Sequence, residues 1–167
     1  MTHAENKVEW CLKKAGKEGT KHRGLKEISQ NKIKAEEHIK KSEHNLRVME
    51  YLIQGEFNDW AVSASFYVHY HCLLAILQKF GYESRNQECT FAAIEHLIEK
   101  NTISLSKEEL HKIFKEEHEE KLQAPDIIGL REFFQYGTLT DYEKEKIKDL
   151  LKQSKNFVEK TKIIIES

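Results

Sequence analysis

The histidines and cysteines are the residues whose types and spacing invite chemistry first. His69 and His71 stand two apart. On a helix that spacing turns one side chain about 200° from the other, so the two cannot grip one metal together. Each reads as a packed or hydrogen-bonded histidine. His111 and His118 are seven apart on one helical face, with Glu108 and Glu119 close by. Zinc sites usually need three or four converging ligands, so this stretch reads as a solvated charged face. No metal and no cofactor are expected. Cys11, Cys72 and Cys89 form an odd, widely spaced set without a Cys-x-x-Cys pair. They are expected to be reduced thiols in a cytoplasmic protein, with Cys72 a small core residue. Cys11 and Cys89 have no identifiable base partner, which leaves a thiol nucleophile unsupported. Gly16-Lys-Glu-Gly19 lacks the spacing and the preceding strand of a phosphate-binding loop.

The elements that must position these residues follow from composition. The chain has 167 residues, enough for one domain with a real core. One proline and seven glycines, with 33% charged residues, favour long helices over a many-turned β fold. The net charge is -1, which excludes a protein that works as a general nucleic-acid glue; any such contact must be local. The basic excess sits at the start, in Lys7, Lys13, Lys14, Lys17, Lys21 and Arg23. That arm reads as a solvated, flexible end rather than a phosphate-facing one. No apolar run of about 18 residues is expected to reach membrane-span length, so no membrane partner is expected.

The periodicity predicts an all-α, antiparallel bundle of four to five helices with short flanking helices. Residues 1–30 read as an N-terminal helix and a basic loop, and 31–167 as the bundle domain. A first helix is expected over 4–15, and a second over Asn31–Gln54 with Ile39, Leu46, Met49 and Ile53 as its stripe. The central helix, Asp59 to Gly81, has Asn58 or Asp59 as N-cap. Its small residues Ala61, Ala64 and Ser65 allow a neighbour to approach closely. Thr90 is expected to cap Phe91–Lys100. Ser106-Lys-Glu-Glu109 and Thr140-Asp-Tyr-Glu143 read as capping boxes. Pro125 marks a break before a short helix that runs from Asp126 to Gly137. The last helix is expected over 140–166. No segment alternates with a period of two, so no sheet is expected.

Three pieces, in order, carry a resemblance. They are Lys34-Ala-Glu-Glu-His-Ile-Lys-Lys-Ser-Glu43, then Ser65-Phe-Tyr-Val-His-Tyr-His71, then Arg131-Glu-Phe-Phe-Gln-Tyr-Gly137. Together with the last helix, over about residues 31–166, they resemble the HEPN family (higher eukaryotes and prokaryotes nucleotide-binding), in its branch of small stand-alone prokaryotic and archaeal proteins.

The resemblance implies a homodimer whose groove holds a nucleotide or RNA phosphate. Active HEPN ribonucleases carry an Arg-x4-6-His element at the third piece. There the arginine steadies the scissile phosphate and the histidine moves protons in a metal-independent cut. Here Arg131 matches the arginine, and Tyr136 stands where the histidine could. A phenol, with a pKa near 10 against about 6.5 for imidazole, is a poorer base at neutral pH by about 5 kcal/mol. The resemblance therefore implies a nucleotide- or RNA-binding interaction module with Arg131, Tyr136, His71 and Arg85 at its groove. Its partner would be a small nucleotidyltransferase in a two-component, toxin–antitoxin-like system. The alternatives are a metal-independent endoribonuclease toxin using Arg131 and Tyr136, and a non-catalytic helical adaptor. The plain structural reading of the motif is that Arg131 forms a buried salt bridge with Glu132 or a partner subunit, and that Tyr136 packs at a helix end.

Overall fold

Seven helices and a two-stranded sheet occur among residues 1–114 and 126–167, the part of the chain that the computed structural model describes. The helices are α1 (His3–Glu18), α2 (Lys32–Gln54), α3 (Asn58–Lys79), α4 (Gln87–Glu99), α5 (Lys107–His111), α6 (Ile127–Tyr136) and α7 (Lys144–Glu166). The strands are β1 (Leu25–Glu27) and β2 (Tyr82–Ser84). The fold is all-α, as the sequence implies. The expectations placed on Pro125, His118 and Glu119 fall outside the described residues.

The bundle is organised around α3, which packs against α2, α4, α6 and α7. Its small residues do what small residues allow. Ser65 Oγ meets Ser154 Oγ of α7 at 2.8 Å, and Ser42 Oγ of α2 donates to the Val68 carbonyl at 2.7 Å. Contrary to expectation, α3 is long and apolar enough by composition to cross a membrane. The reason is its place at the centre of the bundle: 61% of that window is buried inside the protein. The N-cap of α3 is Phe57, without a side-chain bond, rather than Asn58 or Asp59.

The N-terminal region is not a flexible end. Thr2 and Glu5 form a capping box on α1, which buries Ala4, Val8, Cys11 and Ala15. β1 then pairs antiparallel with β2, Leu25 opposite Ser84 and Glu27 opposite Tyr82. The sheet overturns the expectation of none; strands of three residues are too short to display a period. Gly24 makes the packing possible, because a Cβ there would lie 2.6 Å from the Cys11 carbonyl oxygen. Gly81 sits at φ 89, in the left-handed region where glycine is at ease.

The cysteines also correct the sequence reading. Cys11 of α1 and Cys89 of α4 are joined by a disulfide of 2.10 Å, both fully buried and 78 residues apart. Only Cys72 is a free thiol, and it is a core residue as expected.

Two caps fall elsewhere than expected. Asn86 caps α4 by accepting from Cys89 N at 3.1 Å, and Thr90 lies inside the first turn. The Thr140 box does not form, and α7 begins at Lys144. Tyr142 explains this. Its ring packs on Phe134 at 5.3 Å and its carbonyl accepts from Asn58 Nδ2 at 3.3 Å, which holds the segment outside the helix. The Ser106–Glu109 box is present on α5.

Candidate functional site

Asp126 starts α6 by accepting from Gly129 N at 2.7 Å, and the helix ends at Gly137. That frame presents Arg131 to α3. The guanidinium carbon lies 4.1 Å from the Phe66 ring centroid and 6.0 Å from that of Tyr67. Its Nε is buried without a hydrogen-bond partner. Among the described residues no carboxylate pairs with it, so the salt bridge to Glu132 that the structural reading of the motif offers is absent. A guanidinium resting on aromatic rings with no described carboxylate beside it keeps a positive charge that an anion could meet.

Tyr136 is 79% exposed, so it does not pack at the helix end as the structural reading of the motif has it. Five residues of helix turn it about 140° from Arg131. One copy of the chain therefore does not bring the two groups onto one face.

His71 has a partner that the sequence reading missed. Its Nδ1 lies 3.0 Å from Nδ1 of His38 on α2, with ring centroids 5.3 Å apart. Burial and the approach of His71 push the His38 pKa down to about 4. Burial and then Lys41 lower that of His71. A signal for this pairing was available. The α2–α3 hairpin reverses at Gly55, and His38 and His71 stand nearly equidistant from it. Antiparallel helices place such residues opposite one another.

His69 turns the other way, onto α7. Its ring is 5.0 Å from Phe157, and its Nδ1 is bonded to the Ser65 carbonyl at 2.9 Å. It is fully buried, with its pKa lowered by that burial to about 4. His69 and His71 thus face different helices.

Arg85 is engaged elsewhere. It donates to the Thr20 carbonyl at 2.8 Å and pairs with Glu83 at 3.0 Å, and Glu83 also meets His22 at 3.0 Å. The structure ties Arg85 to the N-terminal layer and does not bring it to Arg131.

The helices α3 and α6 also carry exposed apolar side chains. Phe57, Trp60 and Tyr67 belong to α3 and the turn before it, and Phe133 to α6; Trp60 is 63% and Phe133 57% exposed. The spacing of Phe57, Trp60, Ala64, Tyr67 and His71 is three, four, three and four residues, which makes one stripe along α3.

The comparisons with known proteins agree with this architecture. The family model described as the HEPN domain matches residues 35–164. No curated protein matches the chain.

Proposed function

This chain belongs to the HEPN family, and on that premise we propose that it is a nucleotide- or RNA-binding interaction module without efficient ribonuclease activity. The observation that carries this reading is Arg131, a guanidinium held on Phe66 with Nε unpaired and no described carboxylate to neutralise it. A phosphate would supply the missing charge and acceptor. No imidazole follows it on α6 to move protons.

Two copies form a homodimer through the stripe Phe57, Trp60, Tyr67 and the neighbouring Phe133, which single copies leave in water. The dimer places Arg131, Tyr136 and His71 along a groove. Arg85 contributes only if it gives up Thr20 and Glu83. The second partner is a small nucleotidyltransferase, in a two-component, toxin–antitoxin-like system. Exposed Tyr136 is the hydroxyl that such an enzyme would reach.

The test is incubation of the protein and its Arg131→Ala variant with mixed RNA in excess chelator, alongside calorimetry with adenine nucleotides and short RNA. Binding by the wild type alone, with the RNA intact, supports the module. Cleavage that survives the chelator and vanishes in Arg131→Ala would replace it with the ribonuclease. Neither binding nor cleavage would leave the adaptor.

A further inference from the structure

We propose that one flank of α1 is a second platform, for single-stranded nucleic acid, separate from Arg131 and outside the residues that match the family.

The flank consists of His3, Lys7, Trp10, Lys14 and Lys17, spaced four, three, four and three residues apart. That spacing lines them along one side of a helix over about 21 Å. The buried side is a different one, made by Ala4, Val8, Cys11 and Ala15. Trp10 is 50% exposed at the centre of the stripe. Lys7 Nζ lies 4.6 Å and Lys14 Nζ 5.5 Å from its ring centroid.

An indole flanked by ammonium groups suits a strand whose bases are free. A base stacks on the ring while the lysines turn from the ring to the adjacent phosphates. Nothing acidic stands on the stripe itself. Among the described residues, two exposed carboxylates pair with its lysines: Glu88 lies 2.9 Å from Lys7, and Glu18 is 4.0 Å from Lys14. Such surface pairs are weak and yield to a polyanion. The platform is also held rigid. The Cys11–Cys89 disulfide fixes α1 to α4, and Lys100 pairs with Glu5 at 2.9 Å.

The same features argue against the other polyanions. Duplex nucleic acid keeps its base faces stacked, so Trp10 would have nothing to stack on. A membrane surface would call on an apolar face, and α1 has spent its own on α4, leaving one tryptophan.

The experiment uses the full chain carrying Trp60→Phe, so that Trp10 is its sole indole. An oligouridylate of about ten nucleotides, within the range one such site spans, is titrated against Trp10 fluorescence. Saturable quenching is expected, with log affinity falling against log salt at a slope of about −2 for roughly three phosphates. Trp10→Ala should weaken binding of a labelled oligouridylate about ten-fold, consistent with the loss of one stacked base; Lys14→Glu with Lys17→Glu should weaken it at least as much and flatten the salt slope, because phosphate contacts are lost, while circular dichroism stays unchanged. Arg131→Ala should leave the Trp10 quenching intact. Absence of quenching overturns the proposal. So does quenching that the lysine variant does not weaken, or that disappears only in Arg131→Ala, which would assign the binding to the other site. A blue shift with anionic phospholipid vesicles and no response to the oligouridylate would make the flank a membrane contact instead.

Discussion

The Nδ1 atoms of His38 and His71 lie 3.0 Å apart across the seam between α2 and α3. At that distance one ring donates and the other accepts, so the contact survives one added proton but not two. The surrounding cations Lys34 and Lys41 disfavour charge on the pair, and Glu37 only partly opposes them.

Both histidines are shifted below the ordinary value, His38 to about 4. A depressed histidine contributes stability that is complete above its unfolded value, about 6.5, and is lost as the pH falls towards the folded one. NMR titration of the ring protons should find His38 still neutral at pH 5.5. His71→Gln should raise the His38 pKa, because it removes a neighbour that disfavours the charged form. Titration of His38 near 6.5 in the wild type would show that the two rings do not meet.

His69 gives an effect of the same sign. It is fully buried against Phe157, with a pKa of about 4. The shift corresponds to about 3 kcal/mol of stability present at pH 7 and lost between pH 6.5 and 4. Urea unfolding at pH 7 and pH 4 measures it. His69→Phe should be less stable at pH 7, since the Ser65 carbonyl loses a donor, and its stability should depend less on pH. An unchanged slope would place the acid sensitivity in other groups.

Much of this architecture is written in local signals. Asp126 and Gly137 bracket α6 because a short carboxylate suits an N-cap and glycine a helix end, and both act within a few residues. The Ser106 box holds for the same reason. Distant contacts overrule local signals elsewhere. Thr140 has the residues of a box, but Tyr142 is claimed by Phe134 and Asn58. Thr90 has a capping side chain, but Asn86 stands four residues earlier and β2 delivers the chain to it. The disulfide was illegible because nothing near Cys11 refers to Cys89. At the site, Arg131 and Tyr136 could be named from their order alone. Their orientation could not, since it depends on how α6 lies on Phe66.

The Cys11–Cys89 bond closes a long loop, and constraining 78 residues in the unfolded chain is worth about 4 kcal/mol in the chain-entropy view. Reduction, or Cys11→Ala with Cys89→Ala, should lower the midpoint of urea unfolding, and added reductant should not lower the double variant further. α1 also keeps its ion pairs to Glu88 and Lys100. With Ala4, Val8 and Ala15 still buried, the helical content of the reduced protein should persist at neutral pH. Equal midpoints with and without reductant would show that the bond does not form in solution.

Gly24 tests the seat of the N-terminal layer. A methyl group there would meet the Cys11 carbonyl at 2.6 Å and the Ala15 nitrogen at 3.0 Å, both backbone atoms of a helix that cannot turn aside. Gly24→Ala should cost about 1–3 kcal/mol by overpacking. Gly16→Ala has open space around its Cβ and should be neutral or slightly stabilising, because alanine suits a helix better. Equal stabilities for the two variants would mean that α1 does not lie against Gly24.

Arg131 separates binding from structure. Its guanidinium stacks on Phe66 but makes no ion pair with a described residue, so its removal deletes one cation–π contact and exposes no buried carboxylate. Arg131→Ala should lower stability by about 1 kcal/mol, the scale of a partly exposed cation–π contact. Nucleotide or RNA binding should fall far more, since the phosphate loses its counter-charge. Arg131→Lys keeps the charge but not the planar fork that rests on the ring, and should recover only part of the affinity. A loss of several kcal/mol in unfolding, with affinity unchanged in the variant that remains folded, would make Arg131 a structural prop and direct attention to His71 and Tyr136.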